Sequence, residues 1–358
     1  MIKISNNIIS AEISTTGAEV QSIRDIETGR EYLWNGDERW WHGHSPILFP
    51  IVGGMWNGTC RIDGEEVSIP KHGIVRRATW TVENVTADQA TLSINSTVGS
   101  FKTFPFAFHL SVTYRLEGRQ LKADFTVKNL SGCDLWFQLG GHPAIALPDW
   151  KEENEVDGYL QLEGQPQHVL RAGEQGCLEP ETFAVPQNEE GLIPLSVDTF
   201  SHEALIFDEH QVKAATVFGR DKKPVARVAC DSPVWLFWSP QGVHTPFVCC
   251  EPWYGLCDHQ GFEGPVQDRP YINCAHSGET WQGVPCRSCF KSLLVEIGHH
   301  LLAVRIVRVL EGEHAQGGLL LALIGVPWLA GVDVLFGEAP LAELEKDLDR
   351  KSGSAGMP

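Results

Sequence analysis

SVTYRLEGRQLKADFTV, residues 111–127, alternates apolar and polar side chains on both sides of a short polar break. In its second half Leu121, Ala123, Phe125 and Val127 fall on one face, and Lys122, Asp124, Thr126 and then Lys128 on the other. Successive strand residues point to opposite faces of a sheet, so this reads as a half-buried strand. The connection Glu117-Gly118-Arg119-Gln120 is short enough to make residues 111–127 an antiparallel hairpin. Shorter runs of the same kind recur as RIDGEEVSI, ATWTVENV, ATLSINST, ALIFD, AATVFG, PVWLFWSP and PFVCCEPW, separated by turn formers with almost no amphipathic helical window. Many short strands at this spacing predict an all-β sandwich or barrel-like fold, in one large domain running to about residue 283.

The composition agrees with a globular chain: 358 residues, 42% of them hydrophobic and 21% charged, suffice for a substantial core. Twenty-eight Lys and Arg against 46 Asp and Glu leave a net charge of −18, and no basic block is present. No nucleic-acid partner is expected, because the electrostatic footprint for phosphate is missing. The start MIKISNNIISAEIS has no charged region followed by an apolar one, so a cytoplasmic location is expected. Ten scattered cysteines then read as thiols, not a disulfide framework.

After GETWQG the composition changes, and residues 284–358 read as an atypical, apolar and partly helical tail of unknown role. Gly317 to Gly337 is about long enough to span a bilayer. Pro327, Asp333 and the glycines within it argue against a span, so no membrane partner is expected for the β-rich part and one stays open only for the tail.

No phosphate-cradling glycine motif and no G-x-S-x-G elbow is present. Cys286-x-x-Cys289 lacks a second pair, and His299 and His300 are adjacent, so no metal site is expected there. Three strand-end segments remain: PKHGIVRR with His72, LGGHPAIA with His142, and CCEPWYGLCDH with Glu251 between Cys250 and Pro252. Each group alone also suits a structural role. Together, two imidazoles and a carboxylate form an acid/base set suited to proton transfer near neutral pH. Trp253 offers an apolar plate to a ligand face, while Trp235 and Trp238 read as core.

SPILFPIVG (45–53), KHGIVR (71–76), FQLGGHPAIALP (137–148), ALIFD (204–208), CCEPWYGLCD (249–258) and RPYINCAHSGETW (269–281) occur in one order. In that order and spacing they resemble the aldose 1-epimerase (galactose mutarotase) superfamily, in its LacX-like branch. The resemblance covers about residues 1–283. It implies a β-supersandwich of large twisted antiparallel sheets with a sugar site on a concave face. It implies His142 as general acid, Glu251 as general base, His72 as a second active-site histidine and Asp208 as a sugar-binding acid. Arg76 is placed with the substrate-binding residues. The implied reaction interconverts the α and β anomers of a free hexose and uses no metal, nucleotide or other cofactor. A non-catalytic carbohydrate-binding protein and a hexose-6-phosphate 1-epimerase are the alternatives. One departure stands out: Gly54 and Met55 follow PIVG where the family commonly carries an arginine.

Overall fold

The expected hairpin anchors the fold. In the computed structural model, which describes residues 1–282 and the strand Ser292–Ile297, strands Phe108–Glu117 and Gln120–Asn129 pair over ten residues each. Gly118, at φ 58°, is the first residue of their two-residue turn, the position where a II′-type turn needs a positive φ. The other turn residue, Arg119, reaches across to buried Asp25, with Nη1 2.6 Å from Oδ2. Thr28 N–H and Arg119 together hold that carboxyl down at about 2 against the opposing effect of burial. The pair ties the hairpin tip to the N-terminal sheet of Ile2–Ser5, Ile9–Ile13 and Val20–Asp25.

Each strand run expected from the sequence contains a strand, except that RIDGEEVSI folds as a hairpin, Thr59–Ile62 and Glu65–Ser68, turning at Asp63-Gly64. The hairpin lies in a wide antiparallel sheet. Its order is Ile193–Leu195, Gly158–Gly164, Val212–Phe218, Pro224–Ala229, Ser292–Ile297, Gln120–Asn129, Phe108–Glu117, Gln89–Asn95, Thr81–Val85, and Thr280–Trp281 also pairs with Gln120–Asn129. A second sheet runs Ala204–Phe207, Val234–Trp238, Phe247–Tyr254, Leu139–Gly141, Ile47–Leu48, with Ala144–Ala146 also on Phe247–Tyr254. Ser292–Ile297 pairs with Gln120–Asp124 on one side and Ala226–Ala229 on the other. The wide sheet thus continues past the composition change expected at Gly283. The rest of the expected 284–358 tail, with its helical stretch and Cys286 and Cys289, lies outside the described residues. Among the described residues no helix is long and apolar enough to cross a membrane.

The second sheet has two differently used faces. Leu205, Phe207, Trp235, Phe237, Val248 and Cys250 point into the main core. Ala204, Ile206, Val234, Leu236 and Trp253 join a separate apolar cluster on the other face. Trp235 and Trp238 are three residues apart on one strand and must therefore face opposite ways. Trp235 is fully buried as expected, stacked 6.0 Å from Phe237. Trp238, expected in the core beside it, instead lies on the second face, its ring 6.0 Å from that of His142. Trp235→Ala is expected to cost about 3–5 kcal/mol, read as a fall in the midpoint of denaturant unfolding; a loss under about 1 kcal/mol would mean the core collapses around the gap.

Candidate active site

Strand register brings the two principal residues together. Leu139 pairs with Tyr254 and Gly140 with Trp253, and further along Ala144 pairs with Cys249 and Ile145 with Val248. The same frame runs through the gap, where Cys250 N–H donates to Pro143 O at 2.9 Å, so His142 stands opposite Glu251. Residues opposite each other in an antiparallel pair share a face with Cβ atoms about 5 Å apart. His142 Nε2 accordingly lies 3.3 Å from Glu251 Oε1.

The pair is almost wholly enclosed, His142 6% and Glu251 1% exposed. Ring and carboxyl touch without the alignment of a hydrogen bond, and both Glu251 oxygens and His142 Nδ1 have no hydrogen-bond partner among the described residues. Burial pushes the Glu251 carboxyl well above the usual carboxylate range. Burial, reinforced by the charges of Arg76 and Lys71, pushes the His142 imidazole down to about 3. Low polarity penalises either charge alone. Burial thus favours the uncharged form of each group; in those forms the pair carries one proton, and its transfer from carboxyl to ring would create a carboxylate and an imidazolium with no change in net charge.

His72 completes the group from another direction. Segments 49–53 and 72–74 clasp through Ile74 N–H to Phe49 O at 2.8 Å and His72 N–H to Gly53 O at 3.1 Å. A Cβ on Gly73 would fall 2.0 Å from Phe49 O, so only glycine fits. His72 itself holds φ 66°, a conformation that costs a non-glycine residue about 1–3 kcal/mol and clusters at functional sites. Gly53 N–H donates to His72 Nδ1 at 3.1 Å, which assigns the proton of the neutral ring to Nε2. The ring meets His142 edge-on at 5.6 Å and Trp253 at 5.9 Å.

Burial, with a smaller effect of the neighbouring charges, holds His72 well below its ordinary 6.5. Between that depressed value and 6.5 the unfolded chain binds a proton that the folded ring refuses. Its contribution to stability is thus complete above pH 6.5 and falls by about 1.4 kcal/mol per pH unit as acid is added. His72→Gln is expected to flatten this limb in thermal melts between pH 7 and 5; an unaltered slope would mean that the ring is protonated in the fold.

An aromatic wall lines the pair. The Trp41 ring stacks on His142 at 4.8 Å and an interplanar angle of 22°, and meets Trp238 edge-on at 5.7 Å. The Trp41 segment is fixed by Trp34 Nε1–H donating to Trp41 O at 2.7 Å and Trp40 Nε1–H to His244 O at 2.8 Å. Trp253, 1% exposed, shares the face of Glu251. A Cβ on Gly140 would fall 2.6 Å from Trp253 Cδ1. That glycine makes room for the indole.

The other expected site residues lie further out. Asp208 follows strand Ala204–Phe207, at the edge of the second sheet and two strands away from Glu251. Its Oδ1 is 3.0 Å from His168 Nε2 and its Oδ2 accepts from Tyr271 Oη at 3.4 Å. Arg76 Nη2–H donates to Lys71 O at 3.1 Å, and its charge reaches both histidines. At Gly54 a Cβ would lie 2.6 Å from Gln175 O, so the 173–177 turn occupies the space where a side chain would leave the backbone.

Sequence reasoning missed three neighbours of the pair: Trp41, Cys249 and Lys71. The doubled tryptophan in ERWWHGH was a usable signal for Trp41. Cys249 was legible only by combining period-two alternation with Glu251, two residues on.

Comparison with known proteins identifies the family to which this fold belongs. The aldose 1-epimerase family model matches residues 1–258. The plasmid-encoded LacX protein of Lactococcus lactis subsp. lactis is 28% identical over 280 residues, covering 76% of this chain and 93% of its own. A galactose mutarotase related enzyme from Lactobacillus acidophilus superposes with a TM-score of 0.75 at 28% identity, covering 83% of this chain and 97% of that one. A galactose mutarotase-like protein from Lactobacillus casei gives 0.75 at 26% identity, covering 84% and 100%. With a family model spanning most of its length and this β-sandwich around a paired histidine and glutamate, the chain belongs to the aldose 1-epimerase family and is LacX-like.

Proposed function

We propose that the protein is an aldose 1-epimerase acting on a free hexose, with Glu251 as base and His142 as acid. The observation that carries this reading is the register that sets His142 opposite Glu251, 3.3 Å apart and enclosed. Opening a cyclic sugar requires removal of the anomeric hydroxyl proton and delivery of a proton to the ring oxygen. With the shared proton on His142, the Glu251 carboxylate takes the first and the imidazolium gives the second. Rotation about the bond between the first two carbons presents the other carbonyl face, and the same groups with roles exchanged close the ring. The two unpartnered Glu251 oxygens are free to accept the sugar hydroxyl. His72, neutral with Nε2–H outward from the Gly53 amide, donates to a sugar oxygen without competing for the proton. Trp41, Trp238 and Trp253 supply apolar surface for a sugar face. Asp208, whose Oδ2 has among the described residues only the long Tyr271 contact, accepts from a sugar hydroxyl, and Arg76, whose charge reaches both histidines, supports the substrate.

Freshly dissolved α-D-glucose and α-D-galactose, followed by polarimetry with the full chain, test the reading. Acceleration beyond the spontaneous rate for at least one sugar is expected. A folded protein that accelerates neither would turn the assignment toward a phosphorylated hexose or a non-catalytic sugar binder.

A further inference from the structure

Cys249 has no part in the proton transfers above, yet it sits among the groups that perform them. It precedes Glu251 by two residues on strand Phe247–Tyr254, so both side chains leave the same face, while Cys250 between them turns into the main core. His142, opposite Glu251, is diagonal to Cys249. One imidazole nitrogen, the Cys249 sulfur and one Glu251 oxygen all lie within 4.8 Å of one another, and all three residues are buried. No donor from the described residues satisfies either Glu251 oxygen, although the group is 1% exposed.

We propose that His142, Cys249 and Glu251 form a site for a thiophilic divalent cation, zinc being the best match, that competes with the sugar. Mixed nitrogen, sulfur and oxygen donors suit zinc, and three protein ligands leave a fourth position for water, as in open zinc sites. Bonds of about 2.0–2.3 Å place tetrahedral donors about 3.3–3.8 Å apart. Closing from the present separations takes side-chain rotation on a fixed strand register. Coordination uses a thiolate, a neutral imidazole and a carboxylate, so the thiol proton and the proton shared by His142 and Glu251 leave to water. A Glu251 oxygen bonded to zinc no longer accepts the anomeric proton. Occupancy therefore switches the site off; this consequence rests on the epimerase reading, whereas metal binding itself does not.

Cobalt(II) reports the site because thiolate ligation gives a near-ultraviolet charge-transfer band. Asp134, Cys274 and His276 form a second mixed cluster, and Cys286 and Cys289 lie outside the described residues. The reading is therefore a difference between the full chain and its Cys249→Ser variant. We expect the unmodified chain to bind about one more equivalent of cobalt, with a stronger thiolate band, and zinc to displace it. Glu251→Gln, close in shape, removes a direct ligand and is expected to weaken the same cobalt equivalent by more than the ~10–100-fold an outer-shell change costs, so that the result does not depend on Cys249→Ser folding. Zinc is expected to inhibit mutarotation by the unmodified chain, reversibly with EDTA. In Cys249→Ser the same fractional inhibition, measured against that variant's own metal-free rate, should need about tenfold more zinc. Equal cobalt stoichiometry and spectra in the unmodified chain and both variants would overturn the metal site. A cobalt difference in a protein that accelerates no sugar would instead uphold the site and overturn the epimerase reading.

Discussion

Glu251→Gln is expected to reduce catalysed mutarotation by about 10²–10⁴-fold, the usual worth of a positioned general base. The amide keeps the shape of the side chain but accepts no proton at any working pH. His142→Gln should cost a similar factor, and the double variant little more than either alone, because the two residues exchange one proton and act as a unit. The 3.3 Å contact and the enclosure of both groups carry this expectation. Stability should respond differently from activity. Glu251 makes no well-aligned hydrogen bond among the described residues and glutamine keeps its shape beside the Trp253 indole, so its replacement should move the unfolding free energy by less than about 1 kcal/mol. A Glu251→Gln protein retaining more than a third of the catalysed rate would remove the carboxylate from the mechanism. One that failed to fold would make Glu251 structural.

The second large effect concerns a strand that composition does not announce. A chain ended after residue 283 is expected to lose cooperative thermal unfolding and to aggregate, whereas one ended after residue 300, which retains the strand Ser292–Ile297, is expected to keep a cooperative transition. Ser292–Ile297 pairs with residues on both flanking strands, from Gln120 to Asp124 and from Ala226 to Ala229. Removing it splits the wide sheet and bares the backbone groups of two long strands, the situation that invites edge-to-edge association. A loss comparable to the whole stability of a domain, about 5–15 kcal/mol, is expected. Circular dichroism melts and light scattering of the two proteins compare them directly. Equal melting behaviour would show that the sheet closes without this strand.

By itself, the sequence determined the class of fold. Alternation in residues 111–127, and short strand-like runs between turn formers elsewhere, are local properties of side-chain order, and local order survives translation into strands. The candidates His72, His142 and Glu251 were legible because Gly and Pro beside them mark special backbone paths. The left-handed φ of His72 and the tight fit of Gly73 make one such path explicit. Only the tertiary structure decided which of these meet. The distance between His142 and Glu251 is set by the pairing of strands more than a hundred residues apart, and no local pattern encodes a register of that range. The same holds for Trp41, brought onto His142 from a separate segment, and for Gly140, whose neighbour turned out to be an indole. It holds also for Ser292–Ile297, whose place between Pro224–Ala229 and Gln120–Asn129 depends on hydrogen bonds to both. Strand propensity is written residue by residue, whereas pairing is a long-range choice among strands. The proton chemistry we propose for this protein therefore rests on a fold-level contact between residues that the sequence shows only singly.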